Sequence, residues 1–274
     1  MPYLLYFGHV NIDTILRVRD LPERGESREV VEIKERTGGT AYNTYKSLRA
    51  LGVPAHIFTV VGKDFREKLE GIIIRGEITP RCWIVTDGRE QTAFVYQGLW
   101  KKKDALNIPR ERLRDYEILH FSTGNPHFYL KVAREAKKMG IKIGFDPSQE
   151  IHYIYNREIF RELLELADYF FCNENEYEKA EKWADDILKK KTVIRTEGED
   201  GASLYLPERG WSHYPAEKVR VEDTTGAGDS FRAGFYAALY RGKSLEECVK
   251  YGNKVAGKVV SSSISYYIGT WEEI

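Results

Sequence analysis

The sequence predicts an α/β protein in which a mostly parallel sheet is covered by helices on both faces and a small β-sheet leaves the main body. Two patterns carry this expectation. Short apolar runs alternate with stretches whose apolar residues recur at helical spacing, which is how a parallel sheet and its crossover helices read. Two other segments alternate apolar and polar residues one by one, as strands with two different faces do.

From the N-terminus, Leu4 to Phe7 is the first apolar run and ends at Gly8 and His9. It is too brief for a signal segment or a membrane span. Ile12 to Val18 and Glu29 to Arg36 alternate as strands, and Gly38-Gly39 leads into a helix over Thr40 to Leu51. His56 to Val61 is the next buried run. A second alternating pair, Arg81 to Val85 and Gln91 to Gln97, is joined across Asp87-Gly88, a strong hairpin turn. These strands, within 12–37 and 80–100, are expected to form the small sheet and to lie over the main strand ends as a lid that excludes water. The alternative is an edge extension that lengthens the main sheet or pairs with another subunit. Strands are then expected at Ile118 to Phe121, Lys142 to Phe145, Tyr169 to Cys172 and Val193 to Thr196. Helices are expected over Tyr129 to Lys138, Glu158 to Leu166, Glu174 to Lys182 and Ser230 to Leu239. No repeat or flexible linker interrupts the pattern, so residues 1–274 read as one domain. In such sheets ligands gather beyond the carboxyl ends of the strands.

Composition narrows the function. With 274 residues, 42% hydrophobic and 31% charged, the chain suits a soluble globular protein with a sizeable core. Lys plus Arg and Asp plus Glu both number 42, so no net field draws it to nucleic acid or an anionic membrane. A small-molecule substrate is favoured. Cys82, Cys172 and Cys248 stand far apart without metal-ligand spacing and are expected as buried apolar residues. The short first run argues for a cytoplasmic protein, and abundant Lys, Arg and Glu with 2 Met suggest a heat-adapted source.

The most informative stretch is Asp223-Thr224-Thr225-Gly226-Ala227-Gly228-Asp229-Ser230-Phe231. Small residues let successive backbone N–H groups converge into an anion-binding nest, and the helix expected from Ser230 sets that nest at a positive helix end. An acid at Asp229 weakens phosphate binding unless it takes a proton from the hydroxyl that attacks the phosphate. Asp229 as a plain helix cap is the competing reading. A dinucleotide fingerprint fits poorly, because Phe231 replaces its third glycine and too little chain follows. At Lys46-Ser47 a Walker A loop fails, since Tyr45 stands where a glycine belongs.

Other polar clusters fall at strand ends. Asn11 and Asp13, with Gly39 and Asn43 at the next helix start, suit vicinal hydroxyls, though each cluster alone reads as turn residues. Asn173-Glu174-Asn175-Glu176 reads as a helix-start acid cluster. Beside a phosphate nest, Asn173 and Glu176 gain a second role in orienting water around Mg²⁺. Thr196-Glu197-Gly198-Glu199-Asp200-Gly201 is a hairpin turn that also suits close approach of nucleotide phosphates.

Together these residues resemble the ribokinase-like, or PfkB, family of carbohydrate and nucleoside kinases over essentially the whole chain. Asp223 to Phe231 resembles its C-terminal signature, Gly38-Gly39 with Asn43 its N-terminal one, and Asn173 with Glu176 its N-x-x-E magnesium motif. The resemblance implies a ribokinase-like three-layer α/β/α fold and phosphoryl transfer from ATP or ADP with Mg²⁺. It implies Asp229 as catalytic base and Gly226, Ala227 and Gly228 as anion hole. Asn11, Asp13, Gly39, Asn43 and Gln149 are then substrate contacts; Thr196, Gly198, Gly201 and Asn253 are donor-nucleotide contacts. Asp223 and Thr225 fall where members often bind K⁺. Ser122 to Pro126 and Phe145-Asp146-Pro147-Ser148-Gln149 look most like archaeal nucleoside kinases and bacterial adenosine kinases, which implies a nucleoside 5′-hydroxyl as acceptor. Phe94, Tyr96 and Trp100 then either stack on a base or form a minicore of the lid. Ser261 to Ile268 departs from the family by lacking a glycine-alanine turn. A sugar, polyol or sugar phosphate such as ribose, fructose or ribose 1-phosphate is the alternative acceptor, with Arg28, Lys34 and Arg36 neutralising a second phosphate. A non-catalytic nucleotide or sugar sensor is the other class. Open lid edges allow a homodimer.

Overall fold

The first apolar run becomes a central strand with both faces covered, which is why its residues show no alternation. Residues 2–274 are described by the computed structural model. The main sheet has nine strands: β1 (Leu4–Phe7), β4 (Ala55–Val61), β5 (Gly71–Arg75), β8 (Ile118–Phe121), β9 (Lys142–Phe145), β10 (Tyr169–Asn173), β11 (Thr192–Thr196), β12 (Ala202–Leu206) and β13 (Gly210–Tyr214). Their order is β13-β12-β11-β10-β9-β8-β1-β4-β5. Every neighbouring pair from β5 to β11 is parallel, and β12 and β13 add an antiparallel edge. The expected mostly parallel sheet is therefore present. Sequence pattern does not announce β5, whose apolar run is only Ile72 to Ile74, or β12 and β13, where polar residues interrupt the apolar ones.

Helices cover both faces. α3 (Pro126–Lys138), α4 (Arg157–Leu166) and α5 (Glu174–Leu188) pack one side, where Phe7, Phe58, Phe121, Phe128, Tyr129, Phe145, Phe160 and Phe170 form an aromatic core. On the other side lie α1 (Thr40–Ala50), α6 (Ala227–Tyr240) and α7 (Leu245–Val260), over Tyr6, Phe171, Phe231, Phe235, Tyr236 and Val255. A four-residue α2 (Arg110–Leu113) precedes β8. α7 starts with a capping box, in which Ser244 Oγ accepts from Glu247 N–H and Glu247 Oε2 accepts from Ser244 N–H. Buried on almost every side, α6 is sandwiched between sheet and α7. Among the described residues no helix is long and apolar enough to cross a membrane.

The second sheet has the order β3 (Val30–Gly38), β2 (Asn11–Val18), β6 (Arg81–Thr86), β7 (Gln91–Tyr96). Its strands are those expected within 12–37 and 80–100. β2 pairs antiparallel with β3 and parallel with β6. Register opposes Asp13 to Arg36 and Cys82, and Cys82 to Val95, so these residues share one face. Thr14, Trp83 and Phe94 lie on the other, with Ile33, Arg81 and Tyr96.

Two glycines set the spacing of α6 and α7. A Cβ at Gly234 would stand 2.7 Å from the Tyr251 carbonyl oxygen, and one at Gly252 would stand 2.7 Å from the Phe231 ring. Gly252→Ala should therefore overpack this contact and lower stability by about 1–3 kcal/mol, read from the midpoint of urea unfolding.

Candidate active site

The glycine run of the C-terminal stretch is the first turn of α6 rather than a loop before it. Gly226 caps the helix at φ 79°, and a Cβ there would overlap the Ser265 carbonyl, so only glycine fits. Helix starts therefore at Ala227, one turn earlier than expected. Ala227 N–H bonds the Thr224 carbonyl and Ser230 N–H the Gly226 carbonyl. Gly228 and Asp229 N–H have no backbone acceptor among the described residues. They are free donors at a positive helix end, which suits an oxyanion. Ala227 belongs to the turn, but its own N–H is committed to Thr224.

Asp229 lies at the mouth of this turn, 8% exposed. Its Oδ2 accepts from Asn43 Nδ2 at 2.8 Å, and its Oδ1 accepts from Arg232 Nη1 at 3.1 Å. Burial pushes its pKa above the ordinary carboxylate value, while Arg232 and the Asn43 amide hold it down. Arg232 Nε also pairs with Asp146, a fully buried carboxylate just past β9. Burial likewise pushes Asp146 up against the pull of Arg232. Neither Arg232 nor Asp146 was assigned a role from sequence. The available signal was the i, i+3 spacing of Asp229 and Arg232, which puts both on one helix face.

A second polar group is built at the junction of β1, β2 and α1. Gly39 caps α1 at φ 101°, and a Cβ there would stand 2.5 Å from the His9 carbonyl oxygen, so glycine permits the close crossing. This crossing sends Asn43, in the first turn, to Asp229. Asn11 Nδ2 donates to Asp13 Oδ1 at 3.2 Å, and Asp13 is buried at 8% exposure. Burial raises the Asp13 pKa, with Asn11 and Arg36 opposing. The structure thus brings Asn11, Asp13, Gly39 and Asn43 together. The aromatic expectation divides. Trp100 is 1% exposed, packed against His9, Phe58 and Tyr129, and has no face for a base. Phe94 and Tyr96 lie on the face opposite Asp13, because register puts them beside Trp83 and Arg81. Burial thus removes Trp100 from stacking, and strand alternation turns Phe94 and Tyr96 away from the Asp13 face.

Beyond Asp229 a cleft of about 480 Å³ opens over the strand ends, lined by Ser148, Gln149, Asn173, Glu176, Thr196, Gly198, Gly226, Ala227, Gly228 and Arg232 among others. Asn173 and Glu176 form a capping box on α5, so the helix-cap reading and the cleft position hold together. Glu176 Oε2 accepts from Asn173 N–H, and burial raises its pKa to about 7. Its second oxygen is free for a hard cation that keeps most of its waters, so the donor chemistry fits Mg²⁺. Gly201 and Asn253 do not line this cleft. Gly201 packs against the Tyr214–Ala216 backbone, and Asn253 Nδ2 donates to the Tyr214 carbonyl at 2.8 Å. Asp223 Oδ1 accepts from Thr225 N–H, and its Oδ2 faces Arg36 at 3.8 Å. A guanidinium already supplies the positive charge there, so Asp223 and Thr225 do not fit a K⁺ site.

The chain matches the pfkB family of carbohydrate kinases over residues 1–268. It belongs to that family. This pfkB-family kinase is 36% identical to a nucleoside kinase of Thermoplasma acidophilum, over 100% of this chain and 95% of the relative. It is 32% identical to a nucleoside kinase of Methanocaldococcus jannaschii, over 97% of this chain and 93% of the relative. The crystal structure of the M. jannaschii nucleoside kinase, an archaeal member of the ribokinase family, superposes with a TM-score of 0.90 at 31% identity, covering 100% of this chain and 96% of that one. The fold is thus ribokinase-like, and the protein is a phosphotransferase with an alcohol acceptor.

A buried carboxylate joins the second sheet to the main strand ends of this kinase. Glu150 accepts from Gln97 Nε2, just past β7, at 2.9 Å and from Gly124 N–H at 2.6 Å. His9 lies 3.9 Å away, but burial lowers its pKa to about 4, so it is neutral there at neutral pH. Burial raises Glu150 from 4.5 to about 8. A folded value above the unfolded one means its contribution is full below the unfolded pKa and is lost as pH rises through the folded one. Thermal unfolding of Glu150→Gln should therefore lose part of the wild-type decline in Tm as pH rises from about 4.5 to about 8. Parallel Tm curves would show that Glu150 does not titrate there.

Proposed function

We propose that this kinase transfers a phosphoryl group from ATP to the 5′-hydroxyl of a nucleoside. The observation that carries the reading is the position of Asp229, at the mouth of the α6 turn and bonded to Asn43 from the acceptor side. The acceptor is held under the second sheet by Asn11, Asp13 and the turn at Gly39, with Gln149 on the cleft wall. Asp229 takes the hydroxyl proton as that oxygen bonds to the γ-phosphorus, and the bond from phosphorus to the bridging oxygen of the ADP leaving group breaks. Free N–H groups at Gly228 and Asp229, on the turn shaped by Gly226, receive the charge on the transferred oxygens. Thr196 and Gly198 line the path of the donor phosphates. Glu176, with Asn173 beside it, would hold Mg²⁺ through its waters, and that ion would offset phosphate charge. As a lid, the second sheet excludes water from this transfer.

A sugar-phosphate acceptor is disfavoured by the charges on the second sheet and its connecting loop. Arg28 pairs with Asp20 and Glu26, Lys34 with Glu32, and Arg36 approaches Asp223, so each cation offered for a second phosphate already faces a carboxylate. The sensor reading is disfavoured by the presence of a poised base. Ile33, Phe94 and Tyr96 are exposed on the face of the second sheet away from Asp13, which supports a homodimer that covers them.

Purified protein offered nucleosides and free sugars, with ATP and with ADP, should phosphorylate nucleosides with ATP. Phosphorylation of sugars alone would overturn the acceptor, and binding without transfer would favour the sensor. Asp229→Asn should lower kcat by about 10²–10⁴-fold while both ligands still bind by calorimetry.

A further inference from the structure

Arg232 is a buried arginine whose position in the cleft has no role in the reading above. It follows Asp229 by three residues on α6, its side chain is 11% exposed, and it lines the cleft. Nη1 donates to Asp229 Oδ1 at 3.1 Å, and Nε pairs with Asp146. Asp146 is itself fixed, fully buried, with its Oδ1 accepting from Ser148 N–H at 2.8 Å. The guanidinium also lies against the anion turn, since a Cβ on Gly228 would stand 3.4 Å from Nη1. The charged and titratable groups around it are Asp146 beyond β9, Glu176 on α5, Tyr6 on β1, His120 on β8, Cys172 on β10 and Asp229 on its own helix.

Desolvating a guanidinium is costly, and a pair that only bolted α6 to the sheet could be replaced by apolar residues at little cost. Here the planar fork does something an apolar contact would not. It holds two carboxylates from different elements in one fixed relation. Asp229 is thereby gripped on both oxygens, by Arg232 on Oδ1 and by Asn43 on Oδ2, and a carboxylate has about four acceptor sites, so lone pairs remain for a substrate proton. We propose that Arg232, braced by Asp146, is a positioning residue that fixes the orientation and ionised form of the Asp229 carboxylate for proton transfer. It acts through Asp229 and rests on the assignment of Asp229 as base.

A double-mutant cycle tests this with four proteins: wild type, Arg232→Met, Asp229→Asn and the double variant, each checked for folding by circular dichroism. Single-turnover rates with a nucleoside and ATP, and KM for both substrates, are the readouts. Arg232→Met should slow the wild-type reaction by about 10- to 100-fold with KM little changed, the loss of one charge-assisted hydrogen bond. In the Asp229→Asn background the same change should have no further effect. If both changes multiply, Arg232 acts on the phosphoryl group or elsewhere and the proposal is overturned. An unchanged rate in folded Arg232→Met overturns it as well. Near-wild-type turnover of Asp229→Asn alone would remove the base, and this proposal with it. Should Arg232→Met not fold, Arg232→Lys carries the same cycle, because an ammonium keeps the charge but lacks the planar fork that fixes the two carboxylates relative to each other. It should slow only the protein that retains Asp229, and equal slowing in both backgrounds overturns the proposal.

Discussion

The structure depends on one chain of buried polar contacts that runs from α1 through α6 to β9: Asn43 to Asp229, Asp229 to Arg232, Arg232 to Asp146. Each link crosses between elements or holds a side chain against its helix. Together they put two carboxylates and a guanidinium into an interior that would otherwise exclude them. Buried charges persist only where partners are close and complete, and losing one partner leaves the others exposed to the full desolvation penalty. This constraint fixes where α6 can start, because Asp229 reaches Asn43 only if Gly226 turns the chain against Ser265. It also fixes the distance between the first turn of α6 and the first turn of α1.

Around that chain the fold supplies rigidity in an ordinary way. Aromatic layers on both faces of the main sheet hold the strand ends, and glycines let α6 and α7 approach closely. The second sheet is tied down at one end by Glu150 on Gln97 and at another by Arg36 near Asp223. Further polar ties run from Arg81 to Asp64 and from Thr37 to Glu67.

Much of this was legible in the sequence because it depends on local pattern. The β1 run, the glycine turn before Phe231, the small-sheet strands and the convergence of Asn11, Asp13, Gly39 and Asn43 all follow from spacing, from resemblance or from both. What was not legible depends on pairing at long range. Arg232 meets Asp146 only after β9 and α6 come together, and Asp223 meets Arg36 only after β3 docks. Residue type alone suits Phe94 and Tyr96 to base stacking or to a minicore, but a strand's face is set by its register, which composition does not reveal. Asn253 and Gly201 carried the right residue types for a nucleotide contact. Both are used instead on the backbone around Tyr214 and Pro215.

The central claim is that one ionised carboxylate, Asp229, receives the acceptor proton. Its most direct test is the acid side of the pH profile of the single-turnover rate, compared between wild type and Asp229→Asn. The account predicts that the wild-type rate falls as this carboxylate is protonated, and that the residual rate of the variant shows no such fall. A variant that kept the same acid limb would mean that a different group titrates in the reaction, and Asp229 would not be the base.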